Sequence, residues 1–381
     1  MSSPAYAVVN LDALQHNLQI VRQYAPHSKI MPVIKANAYG HGMLRVASAL
    51  QSADAFAVAR VDEGVRLRKA GITNRITVLE GFSCTHELDV LLTYQLNPVV
   101  HSFSQVIMLE TRTELNACSI WLKLDTGMNR LGFNAEEFYV AYQRLIQNPV
   151  IKGPINLMTH LANADDIQDI TTIKQTSKFN DTIAALLNEQ MIESERSACS
   201  MANSAGILAW PVTLSDWVRP GIMLYGISPF PDNTGEHWHL KPVMELHSRL
   251  IAVKSLNKGD KVGYAGTWTC NKPTKLGIIA IGYGDGYPRH TMEGTPVLVN
   301  GHRVPLIGRV SMDMITVDLE SQPQAKPGDS VTLWGKGLAI EEIANCANTI
   351  PYTLVCGITQ RVRFIEHSFN DLNLIANILN H

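Results

Sequence analysis

The sequence predicts an α/β protein in which an N-terminal (β/α)8 barrel, residues 1–232, is followed by a mostly-β domain, residues 233–381. Two observations predict it. Short apolar runs alternate with helix-spaced segments up to about residue 230, the pattern of a parallel sheet with crossover helices. From about residue 235 the helical spacing stops, and short runs follow one another across turn signals. A chain of 381 residues, 46% of them apolar, can bury a core in each part.

The barrel runs are IMPVI (30–34), AFAVA (55–59), RITVL (75–79), NPVVH (97–101), SIWLKL (119–124), PINLMT (154–159), SACSM (197–201) and WVRPGIML (217–224). Eight units in this length fit a closed barrel better than an open sheet. Between them, segments such as DALQHNLQIVRQY, DEGVRLRKA and AEEFYVAYQRLIQ space apolar residues as amphipathic helices do. The first strand, about 4–9, is a candidate to pair with the C-terminal domain. In that domain HSRLIAVKSL, KVGYAGTWTC, KLGIIAIGYG, PVLVNGHRVPLI, MDMITVDL and DSVTLWG read as strands, separated by NKGD, NG and KPGD turns. Only IEEIANCANT reads as a helix there, and the turn-rich PFPDNTGEHWHL marks the boundary.

Composition narrows the function. A net charge of −2 and a pI near 6.7 give no basic face, so nucleic acid and anionic membrane are poor partners. No apolar run reaches the ~18 residues of a membrane span. The opening MSSPAYAVVN lacks the charged and apolar regions of a secretory signal. The six cysteines are scattered without a CxxC, the usage expected of reduced thiols in a cytoplasmic protein.

Active residues of such barrels sit at the C-terminal ends of the strands. There the chain offers Lys35 and Tyr39, then Lys123, Asp125 and Arg130, then His160, then Asn203 and Ser204, then Arg219 and Gly221. Each has a bland alternative. A lone lysine is usually solvated, and a lone histidine is usually structural. The arginines could be surface ion pairs, and ANSAG could be a helix cap. Their coincidence at one mouth favours a site, and no comparable set is expected at the opposite end. Apolar walls and cationic neighbours would favour a neutral Lys35 amine, which condenses with aldehydes. Ser204 and Gly221 lie where many barrels bind phosphate. An aldehyde-binding lysine beside a phosphate cradle describes a pyridoxal 5′-phosphate site.

The motifs VIKANAYGHG (33–42), KLDTGMNRLGF (123–133), MTHLANAD (158–165), MANSAG (201–206), VRPGIMLYG (218–226), VGYAGTW (262–268), AIGYGDGYPR (280–289) and GRVSMDM (308–314) span nearly the whole chain in order. With them the sequence resembles the bacterial alanine racemases, barrel-type pyridoxal phosphate enzymes. The resemblance implies interconversion of L- and D-alanine, supplying D-alanine for peptidoglycan, by a homodimer with shared active sites. It implies that Lys35 binds the cofactor covalently and serves as one base. Tyr264, from the partner subunit, is then the other. Arg219 would meet the pyridine nitrogen, and Tyr39, Ser204, Gly221, Ile222 and Tyr352 the phosphate. Arg130 and Met312 would place the substrate carboxylate, with Tyr283 and Asp313 lining the site. His160 would join Arg219 to Tyr264. In the family a lysine at the Lys123 position can be carbamylated to orient Arg130; the alternatives are an unmodified Lys123 or an anion such as chloride in the carbamate's place. Ser311 stands where some members of the family have cysteine.

These implied roles make chemical sense. Racemisation moves a proton from one face of Cα to the other, so two bases on opposite faces are the direct solution. A phenol with a reference pKa of ~10 needs cationic help to act as a base. Rival readings are weaker. LGIIAIGYGDGY lacks the G-x-G-x-x-G spacing, and His237 with His239 has no carboxylate or thiol pattern for a metal. A racemase of another amino acid such as serine and a non-catalytic cofactor carrier are the functional alternatives. The carrier leaves Tyr264 and the second domain without a purpose.

Overall fold

The computed structural model describes residues 4–112, 118–151, 153–189 and 197–367. Residues 368–381 of the expected second domain lie outside this set. The chain forms two units. One comprises Leu18–Ala38 and Gly42–Leu224; the other comprises the residues before Leu18, Tyr39–His41, and the chain from Tyr225 onward.

The first unit is the barrel. Its strands are β2 (Lys29–Ile30), β3 (Ala55–Val58), β4 (Arg75–Val78), β5 (Asn97–Val100), β6 (Trp121–Lys123), β7 (Asn156–Met158), β8 (Cys199–Ser200) and β9 (Trp217–Val218), preceded in the chain by β1 (Tyr6–Asn10). They pair in parallel in the order β2-β9-β8-β7-β6-β5-β4-β3. The ring closes where Val33 bridges Ala57, with Ile34 N–H donating to Ala57 O and Ala57 N–H to Pro32 O. All eight runs therefore form strands. The first is shorter than its apolar run because Pro32 has no N–H for the ladder. β3 is buried on both faces, as a parallel strand under helices must be. Helix starts follow local chemistry: Asn134 Oδ1 accepts from Glu137 N–H (2.9 Å) to open helix Ala135–Ile146.

The second unit is mostly β. It contains β1, β10 (Met244–Leu256), β11 (Lys261–Val262), β12 (Trp268–Thr269), β13 (Thr274–Ile279), β14 (Pro296–Val299), β15 (His302–Pro305), β16 (Ile315–Asp318), β17 (Ser330–Trp334) and β18 (Arg363–His367). The main sheet runs β15-β14-β17-β10-β1-β18, and β13 joins the far half of β10 to β16. β1 lies antiparallel to β10, with Val9 opposite Met244, and parallel to β18, with Tyr6 opposite Arg363. Asn300 and Gly301, at φ 50° and 81°, make the tight β14–β15 turn that Asn-Gly predicts. Two helices occur where the sequence reading expects one. Ile340–Cys346 is followed by Pro351–Cys356, whose proline sits in the first turn, where no N–H is needed. Among the described residues no helix is long and apolar enough to cross a membrane.

Candidate active site

The chain leaves the first barrel strand through an unusual turn. Ala36 (φ 52°, ψ 51°), Asn37 (54°, 43°) and Ala38 (55°, 53°) are left-handed, and Tyr39 follows at φ 51°. Left-handed backbone costs a non-glycine residue about 1–2 kcal/mol, so neighbours must hold it. Ala36 N–H donates to Glu63 Oε1 (2.7 Å), while Glu63 Oε2 takes Ala59 N–H (2.8 Å). Asn37 Oδ1 accepts from Met43 N–H and its carbonyl from Gly42 N–H. Half-buried Lys35 is therefore aimed by backbone that Glu63 and Asn37 fix.

Beyond it the barrel mouth is crowded with cations. Lys123 ends β6, only 8% exposed. Burial first, then the charges of Arg219, Arg130 and Lys35, bring its pKa down to about 8, with Asp125 opposing them. Asp125 Oδ1 also accepts from Gly127 and Asn129 N–H groups, and Phe133 N–H returns to Lys123 O. That loop carries the exposed Arg130. Arg219 is 4% exposed. Its Nη1 donates to Ser200 Oγ, and its Nη2 to Thr159 O (2.6 Å) and Met201 O (3.2 Å). Nη2 also lies 3.4 Å from His160 Nδ1. Burial and then the Arg219 charge hold His160 well below its ordinary pKa, so it is neutral and Nδ1 accepts. Burial lowers Arg219 to about 10, which leaves it protonated at neutral pH. Among the described residues nothing accepts from its Nε–H.

Ser204 is buried, and its Oγ accepts from Gly221 N–H (2.9 Å) and Met223 N–H (3.3 Å). Asn203 caps helix Ser204–Ala209, its Oδ1 accepting from Gly206 N–H (2.9 Å), so its side chain serves the helix start. Ile222 opens a short 3₁₀ turn, and its N–H has no partner among the described residues. Buried cationic donors, an amine and spare N–H groups fit an anionic ligand with a heteroaromatic acceptor.

In the second unit Tyr39 packs against Tyr225 (4.9 Å between centroids) and Tyr352 (5.9 Å). Burial raises the Tyr39 hydroxyl well above its ordinary pKa, so it stays a neutral donor. A Cβ on Gly40 would lie 2.0 Å from Val355 O, which excludes any larger residue there. Tyr264 lies between β11 and β12, 70% exposed. Tyr283 N–H donates to Ser311 O and Gly284 N–H to Met312 O (2.8 Å), which ties the Tyr283 and Met312 loops together. Arg361 braces them, reaching Asp313 Oδ1 (2.7 Å) and Asp285 Oδ1 (3.2 Å).

Sequence reading missed several supports. Glu63 and Arg361 were not singled out, nor was Gln175, whose Nε2 reaches Thr126 Oγ1 and His160 O. Glu63 had one local sign, its place at the third position of a helix first turn. The other two act across long sequence separations.

Two family models match the chain: "Alanine racemase, N-terminal domain" over residues 9–229 and "Alanine racemase, C-terminal domain" over 243–366. The chain belongs to the alanine racemase family. The alanine racemase of Aeromonas hydrophila is 48% identical over 363 residues, covering 95% of this chain and 99% of that one. That of Coxiella burnetii is 48% identical over 367 residues, covering 95% and 98%. Among solved structures, the biosynthetic alanine racemase of Pseudomonas aeruginosa superposes with a TM-score of 0.91 at 38% identity, covering 96% of this chain and all of that one. The enzyme of Acinetobacter baumannii gives 0.88 at 35%, with the same coverage. The family's barrel and mostly-β domain are thus both present, with Lys35 and Arg219 in one unit and Tyr264 in the other.

Proposed function

We propose that this chain is an alanine racemase that interconverts L- and D-alanine with two bases, Lys35 and Tyr264, supplying D-alanine for peptidoglycan in the cytoplasm. One observation carries the reading furthest: a buried, protonated Arg219 beside a neutral His160, with an Nε–H that no described residue claims, in the unit where Lys35 ends the first barrel strand. Such a donor set suits pyridoxal 5′-phosphate. Lys35 would hold its aldehyde carbon, Arg219 its ring nitrogen, and Tyr39, Ser204, Gly221, Ile222 and Tyr352 its phosphate. When bound, the cofactor supplies an electron sink that acidifies the substrate Cα–H.

The protein's own groups do the rest. Arg130, the Met312 backbone, Tyr283 and Asp313 position the substrate carboxylate and bound the site. Lys35 and Tyr264 exchange protons with Cα on opposite faces. We assign Tyr264 to a partner subunit's 233–381 domain, so the active form is a homodimer with composite sites. The substrate test compares L-alanine, L-serine and L-lysine. Alanine should turn over fastest and serine more slowly; fastest turnover of lysine would sink the assignment.

Lys123 is the proposed site of carbamylation, which would turn a crowding cation into a carboxylate facing Arg130. Carbon dioxide reacts only with the neutral amine, so modification should rise with pH through about 8, where half of Lys123 is neutral. Protein equilibrated with ¹³C-bicarbonate at pH 8.5 should give a carbamate resonance that Lys123→Arg lacks. An identical spectrum for both proteins would mean that Lys123 is unmodified.

A further inference from the structure

The amino-terminal foot of the barrel, the end opposite Lys35, was expected to carry no polar set. It carries one. The strand register places Lys29 beside Trp217, Thr77 beside Ala57 and Asn97, and Trp121 beside Asn156. Arg75 lies two residues before Thr77 on β4, so both project from the same face. Lys29, Arg75, Thr77, Asn97, Ser119 and Asn156 line a cavity of about 170 Å³, with Trp121 and Trp217 among its walls. A groove of about 470 Å³ shares Arg75, Asn97, Ser119, Pro154 and Asn156 with it.

The cavity's chemistry has one sign. Lys29 Nζ sits 5.5 Å from the centre of the Trp217 ring. Among the described residues neither Lys29 nor Arg75 makes an ion pair, and the Asn97 amide and Thr77 hydroxyl make no hydrogen bond. Thr77 is only 1% exposed, and its hydroxyl, which no described residue claims, is not among the fully enclosed polar atoms. Asn156 Nδ2 donates to Ser119 Oγ (3.2 Å), which leaves the Ser119 proton available to the cavity. Two carboxylates lie at neighbouring strand starts, and each is engaged with backbone: Asp54 Oδ2 with Ile30 N–H, Asp216 Oδ2 with Cys199 N–H. Neither is among the cavity's described lining residues.

We propose that this foot cavity binds a small oxyanion, a carboxylate or a phosphate, between Lys29 and Arg75, with Thr77, Asn97 and Ser119 donating hydrogen bonds. The fit is one of charge and size. Two cations and several neutral donors face one space, and no described acid lines it. At ~30 Å³ per water the cavity holds about six waters, room for phosphate or a short carboxylate. Such an anion would join β2, β4, β5 and β6 at the end of the barrel remote from the chemistry. It would stabilise the folded chain by mass action without entering the reaction.

The test uses the holoprotein at constant ionic strength, titrated separately with inorganic phosphate and with acetate. Thermal melting is read for wild type, Lys29→Gln, Arg75→Gln and the double variant, and bound anion is counted by equilibrium dialysis. Wild type should bind one anion per chain more than the double variant. Its melting temperature should rise with anion at least twice as steeply as that of either single variant, with racemase activity equal in all four. A response to phosphate alone marks a dianion site, and a response to acetate alone marks a carboxylate site. If Arg75→Gln fails to fold, Lys29→Gln on its exposed side chain gives the same comparison. Equal binding by wild type and variants, or no response to either anion, leaves only water in the cavity and overturns the proposal.

Discussion

Tyr264→Phe should lower alanine racemisation by ~10²–10⁴-fold, the usual worth of a positioned acid–base group, while Cα–H exchange with solvent deuterium continues for one enantiomer only. Loss of one base blocks transfer across the plane but spares abstraction and return on the remaining face. Folding should be untouched. The ring is 70% exposed on the turn between β11 and β12, and Phe differs only by the hydroxyl, so stability should change by no more than about 0.5 kcal/mol. Equal loss of exchange from both enantiomers would argue for a single base. Mixing this variant with inactive Lys35→Ala tests where the second base comes from. Random reassociation makes half the dimers mixed, each with one intact composite site, so about one quarter of wild-type activity should return. No return, with mixed dimers seen by native mass spectrometry, would refute sharing.

Arg219 gives the second large effect, on stability as well as rate. Arg219→Met strands Thr159 O, Met201 O and Ser200 Oγ, which now accept from a buried guanidinium. Unmet buried acceptors and a poorly filled site should together cost about 3–5 kcal/mol in chemical denaturation. Arg219→Lys should recover part of that but not the activity, because an ammonium cannot reproduce the planar fork. Arg219→Glu bears on the chemistry. With its pKa near 10, Arg219 donates hydrogen bonds without giving up protons at neutral pH; a glutamic acid could transfer its proton to the group it faces, and racemisation should slow. A denaturation midpoint for Arg219→Met unchanged from wild type would show that the buried guanidinium is not structural.

The barrel was legible because each of its strands is a short apolar run with no competing period, and because both faces of a parallel strand are buried. The cation cluster was legible for a related reason: Lys35 and His160 follow directly on such runs, and Lys123 and Arg219 interrupt them. What stayed hidden depends on residues distant in sequence. Nothing in KANAY announces four successive left-handed residues, because Ala36 and Ala38 take that conformation only under the hold of neighbours such as Glu63. The foot cavity was hidden because Lys29, Arg75 and Asn97 begin strands one at a time, and only the barrel register gathers them. Helix Pro351–Cys356 was overlooked because its six residues are too few to display a helical period.

The position of β1 has a practical consequence for anyone who wishes to dissect this protein. A strand made by residues 6–10 lies between β10 and β18, whose partners are encoded more than two hundred residues later. A ribosome therefore releases this interior strand first and both of its neighbours long afterwards, β18 last, and the sheet cannot be completed until synthesis is nearly over. Expressing the C-terminal half from the turn-rich linker onward would leave a gap bordered by two open strand edges, each a template for another chain. A fragment that respects the fold would have to carry the first ten residues with it.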